Sequence, residues 1–178
     1  MPGLAERLAG KNDRARKFLE AAAKAKAERP RAYLELGRMN FEDVSAQPAG
    51  ADKKLSEAQV ARVLAPLEIA RKQRPPMAQL YSLMAEVWLN SARRPTQEEF
   101  RTVVEGPMTF PTSIPLVWRT TLLAAEWKFE KEALALAQHG VRISRDAGAR
   151  NQFELVAAAF QRDAETAPPA AAPTKKSP

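Results

Sequence analysis

Apolar residues recur three and four positions apart along most of this chain, the spacing that lays them on one face of a helix, and sheet structure is not needed anywhere. The first run begins at Asn12 or Asp13, either of which can cap free backbone amides, passes through Phe18, Leu19 and Ala22, and reaches about Glu28, where Pro30 ends it. A second, Arg31 to Asp43, puts Tyr33, Leu36, Gly37 and Asn40 or Phe41 on one stripe. Ser45 to Lys54, with Pro48 and Gly50, has the composition of an exposed loop.

Ser56 and Gln59 then make a Ser-x-x-Gln capping box that opens a helix carrying Val60, Val63, Leu64, Leu67 and Ala70. Pro66 falls inside it and predicts a kink, because proline brings no backbone N–H. Pro75 and Pro76 close that helix, and Leu80, Leu83, Met84, Val87 and Trp88 mark the next, to about Asn90. A second capping box, Thr96 with Glu99, leads a short helix through Phe100, Val103 and Val104 that Gly106 and Pro107 are expected to stop. An irregular stretch from Pro111 to Pro115 precedes a helix with Val117, Trp118, Thr121, Leu122 and Ala125, running to about Lys128. After a tight turn near Phe129 come Ala133, Leu134, Leu136, Ala137, Gly140 and Val141, then a last helix, Ala149 to Ala164, that buries Phe153, Val156, Ala157 and Phe160. Residues 1–11 read as a flexible start, and 166–178, TAPPAAAPTKKSP, as a disordered tail that cannot bury enough apolar surface to offset chain entropy.

Four of these stripes share an order: a large residue, a medium apolar one three later, a small or apolar one next, and a further residue three after that. They are Tyr33, Leu36, Gly37, Asn40; Leu80, Leu83, Met84, Val87; Trp118, Thr121, Leu122, Ala125; and Phe153, Val156, Ala157, Phe160. The order resembles the first-helix signature of the tetratricopeptide repeat. The spacing of Ala133, Ala137 and Gly140, and of Val63, Leu67, Ala70 and Pro75, is similar to the second helices of that family, where small residues let a helix pair approach closely. Successive stripes stand 47, 38 and 35 residues apart, against about 34 in the family. The excess lies in Ser45 to Lys54 and in Gly106 to Ile114.

The resemblance covers Arg14 to Ala164. It implies an all-α fold over 12–165: a short α-solenoid of about three irregular helical hairpins plus a flanking helix. It also implies a groove lined by the first helices, which places Leu34, Arg38 and Phe41, then Tyr81, Ala85 and Trp88, then Arg119, Leu123, Glu126 and Trp127 against a partner. Arginine and aromatic side chains are common anchors of protein interfaces, and Arg38 with Arg119 could clamp a carboxylate. Core packing is the plainer reading for Trp88 or Trp127 alone, and solvated surface arginines the plainer one for the pair.

Composition narrows the function classes. No run of about 18 apolar residues exists, so membrane insertion is not expected, and the charged first residues do not read as a secretory leader. Cytoplasmic residence follows only by default. The chain has no cysteine, which excludes disulfides and thiolate chemistry. His139, the one histidine, stands beside Gly140 with no serine near it in sequence, while Glu98 with Glu99, and Glu126 with Glu130, lack metal-ligand company. Gly10-Lys11 lacks the rest of a phosphate loop. No catalytic residue, metal site or cofactor is therefore expected.

The net charge is +7, of which residues 1–31 hold +5: nine Lys and Arg against four acids. A non-catalytic module binding a protein or peptide segment in its groove is the leading expectation. The alternative is a basic helical-repeat binder of RNA or another anionic ligand, with Arg14, Arg16, Lys17, Lys24 and Lys26 as contacts. A third reading takes the chain as part of a longer protein whose catalytic domain lies elsewhere.

Overall fold

The computed structural model describes residues 2–47 and 52–166. Among them are nine helices and no strand: α1 Pro2–Leu8, α2 Asn12–Lys24, α3 Pro30–Ala46, α4 Glu57–Arg71, α5 Ala78–Leu89, α6 Gln97–Thr109, α7 Ile114–Glu126, α8 Glu130–Ile143 and α9 Ala147–Thr166. Each helix packs on its neighbours in the chain, in the manner of a solenoid, and α5 lies at the centre with α3, α4, α6 and α7 around it. The fold is all-α, as the periodicity predicts.

Local chemistry explains where four of the nine described helices begin. Both capping boxes form: Ser56 Oγ accepts from the Gln59 amide at 3.3 Å while Gln59 Oε1 accepts from the Ser56 amide at 2.9 Å, and Thr96 with Glu99 do the same at 3.2 and 2.7 Å. Pro30 and Pro115 occupy the first turns of α3 and α7, where no helical N–H is needed.

Several boundaries differ from expectation. Part of the stretch 1–11, read as flexible, forms α1, whose Gly3 is buried and lies against Leu19 and Phe18 of α2. Neither Asn12 nor Asp13 caps α2; Lys11 precedes it without a side-chain cap, and Asn12 Oδ1 instead accepts from Arg7 at 2.7 Å. Gly106 and Pro107 do not stop α6, which continues to Thr109 with both buried. Gly106 serves close packing: a Cβ there would stand 2.5 Å from Cβ of Tyr81 on α5. Part of the repeat's excess length is thus helix, since α3 extends to Ala46 and α6 to Thr109. The rest of the predicted loop Ser45 to Lys54 is only partly within the described residues, and the tail from residue 167 onward lies outside them.

The main core gathers Tyr33, Leu67, Leu80, Met84, Trp88, Phe100, Leu116 and Leu123. A smaller cluster of Ala15, Leu19, Ala32, Leu36 and Met39 joins α2 to α3. Aromatic contacts stitch later helices together: Phe100 stacks on Phe129 with centroids 4.1 Å apart, and Trp118 meets Phe153 edge to face at 5.0 Å.

Candidate functional site

Three helices, α3, α5 and α7, contribute to one cleft of about 350 Å³, lined by Arg38, Ala78, Gln79, Ser82, Leu83, Glu86, Ser113, Pro115 and Arg119. Arg38 comes from the middle of α3 and Arg119 from the first half of α7, and the cleft lies along the exposed side of α5 between them. Each arginine is partly exposed and holds a carboxylate of the protein. Arg38 Nη1 donates to Glu35 Oε1 at 3.0 Å within α3, and Arg119 Nη1 stands 3.2 Å from Glu86 Oε2 across α7 and α5. Ser82, Gln79 and Ser113 add neutral hydrogen-bonding groups, and Leu83 with Pro115 adds apolar wall.

Of the ten residues expected along the groove, the structure brings Arg38 and Arg119 together in this cleft. Five others are core residues and offer a partner no surface: Leu34, Tyr81, Ala85, Trp88 and Leu123 are between 0 and 5 % exposed. For Tyr81, Ala85 and Trp88 the reason is the central place of α5: α3, α4, α6 and α7 cover the sides these residues occupy, and the side left open is the Gln79, Ser82 and Glu86 face along the cleft. Burial raises the Tyr81 phenol above its ordinary value, and the nearby Glu105 adds to the shift. Phe41 and Trp127 are half-buried against the core, and Glu126 is exposed. Trp127 uses its indole Nε1–H on the Trp88 carbonyl, at 3.1 Å, so it ties α7 to α5.

Ala78, Gln79, Ser82, Glu86 and Ser113 also line the cleft, and the sequence patterns above single out none of them. Ser82 and Glu86 stand four apart on α5, on the polar side of a largely apolar helix. That i, i+4 spacing was the available signal.

Other candidate groups have structural partners. His139 Nε2 hydrogen-bonds the Pro111 carbonyl at 2.7 Å. Glu99, besides closing its capping box, receives two bonds from Arg93, at 2.8 and 3.0 Å, and the Arg93 bonds followed by the Thr96 cap hold its carboxyl below the ordinary value against partial burial. Arg16, proposed as an anion contact, is half-buried and engaged with Asn40 at 3.0 Å and Asp43 at 2.7 Å, which removes it from the basic face of α2. No group of three or more His, Asp or Glu among the described residues is placed to hold a metal ion. No helix among them is long and apolar enough to cross a membrane.

No family model, no curated protein and no solved structure matches this chain. The functional reading therefore rests on the cleft.

Proposed function

We propose that this chain is a non-catalytic, tetratricopeptide-like interaction module that holds an acidic peptide segment of a partner protein in the cleft between α3, α5 and α7. The observation that carries the reading is the convergence of Arg38 and Arg119 on one cleft from two helices separated by a third. Guanidinium groups at both sides offer fork-shaped donors to carboxylates, and Ser82, Gln79 and Ser113 can bond a peptide backbone between them. The internal carboxylates Glu35 and Glu86 keep the arginines oriented when no ligand is bound. A partner must then out-compete an internal carboxylate, which favours a segment with more than one acidic group. Cytoplasmic residence belongs to the same reading.

The test is selection of a displayed random-peptide library on the intact chain, followed by titration calorimetry with the enriched peptides. Acidic peptides should be enriched, and Arg38→Ala with Arg119→Ala should weaken them tenfold or more while circular dichroism stays unchanged. Enrichment of peptides without acidic residues, or unchanged affinity in the double variant, refutes the cleft assignment.

A further inference from the structure

A second surface emerges from the distribution of charge. The chain's 28 Lys and Arg against 21 Asp and Glu include Lys175 and Lys176, which lie beyond residue 166, so residues 1–166 carry a net +5. Elsewhere many arginines are matched: Arg7 with Glu42, Arg62 with Asp43, Arg71 with Glu68 and Glu105, Arg93 with Glu99, Arg119 with Glu86. Lys24, Lys26, Arg29, Arg31, Lys72 and Arg74 are different. All six are exposed, none makes an ion pair, and the one acid in the same two stretches, 24–31 and 72–78, is Glu28. Six cations against one carboxylate give +5, the whole net charge of residues 1–166.

These cations belong to two connections, α2 to α3 and α4 to α5, that are far apart in sequence and adjacent in space. Gln73, between Lys72 and Arg74, donates its side-chain amide to the Ala27 carbonyl, between Lys26 and Arg29, at 3.3 Å. Helix stabilisation explains some of the charge, since Lys24 and Lys72 sit at helix C-termini where the backbone dipole favours cations. It does not explain Arg29 and Arg31, which flank the N-terminus of α3, where the same dipole opposes them. Gathering six like charges costs stability, so an anionic ligand is the natural counterpart.

We propose that this edge, formed by the α2–α3 and α4–α5 turns, binds the phosphate backbone of a nucleic-acid duplex without regard to sequence. The two stretches expose no large apolar or aromatic side chain. Neither stretch therefore offers an aromatic platform for unpaired bases or a large apolar wedge for a bilayer, and Coulombic contact with regularly spaced phosphates is the interaction its six cations support. The surface is separate from the cleft lined by Arg38 and Arg119.

The experiment is fluorescence anisotropy of the full chain with labelled duplexes of about 20 base pairs, in two unrelated sequences, across a salt series. Both should bind alike at low salt, with a log–log salt slope of about −5 if the six cations each meet a phosphate. Arg29→Ala, Arg31→Ala and Arg74→Ala together should reduce that slope by about 3 with the circular dichroism spectrum retained. Arg14→Ala with Lys17→Ala on α2, and separately Lys175→Ala with Lys176→Ala, should leave the edge contribution in place. No binding at low salt overturns the proposal. So does equal loss in either control variant, or edge-dependent binding to phosphatidylserine–phosphatidylcholine vesicles in place of the duplex.

Discussion

Asn40 supplies the hydrogen bond that Pro66 leaves unmade. Within α4 the carbonyl of Arg62 has Pro66 four residues ahead, where an N–H should be, and Asn40 of α3 donates its side-chain amide to that carbonyl at 3.1 Å. The helix therefore runs through its internal proline, and the polar residue at the end of the first apolar stripe has a structural task. Asn40 is 8 % exposed and also accepts from Arg16, so α2, α3 and α4 meet at this one amide.

Asn40→Leu should cost about 1–3 kcal/mol, because it leaves the part-buried Arg62 carbonyl without its donor. In a Pro66→Ala background the helix regains its own N–H, and the same substitution should cost at least about 0.5 kcal/mol less. Urea unfolding of the four proteins measures the coupling. Equal costs in the two backgrounds mean that Asn40 does not compensate for the proline.

Gly140 of α8 lies so close to α9 that a Cβ placed on it would stand 2.2 Å from Cδ1 of Phe153. Phe153 is held in turn by Trp118 of α7, so it has little room to yield. Gly140→Ala should destabilise by about 1–3 kcal/mol through overpacking, lowering the melting temperature by roughly 2–4 °C for each kcal/mol. Adding Phe153→Leu should recover part of the loss if the clash is the cause. No recovery in the double variant places the cost elsewhere.

What could be read in the sequence follows from where the decisive contacts are. Helix positions and the capping boxes depend on residues three or four apart, so Ser56 with Gln59 and Thr96 with Glu99 were legible. Glycine and proline usually end helices, whereas Gly106 serves as a contact for Tyr81, a residue 25 positions earlier in the chain. The same holds for the groove. The repeat pattern points to Arg38 and Arg119, which share a cleft, and equally to Trp88 and Tyr81, which lie on the sides of α5 that other helices cover. Asn40 and Pro66 each stand out in the sequence alone; their pairing is tertiary.

The Arg93–Glu99 contact gives the fold a defined acid response. Hydrogen bonds from Arg93, and then the Thr96 cap, lower the Glu99 pKa in the folded protein, so folding stabilises the ionised carboxylate. The unfolded chain binds that proton first as pH falls. The contribution is therefore fully present above the ordinary carboxylate value and is lost as pH drops through the depressed folded one. Glu99→Gln separates the charge from the cap, since glutamine at this position can still accept from the Thr96 amide. The variant should be less stable than the wild type at neutral pH, and the two stabilities should converge in acid. Chemical unfolding of both proteins from pH 7 to below the ordinary carboxylate range measures the difference, and a constant gap across that range contradicts the electrostatic assignment.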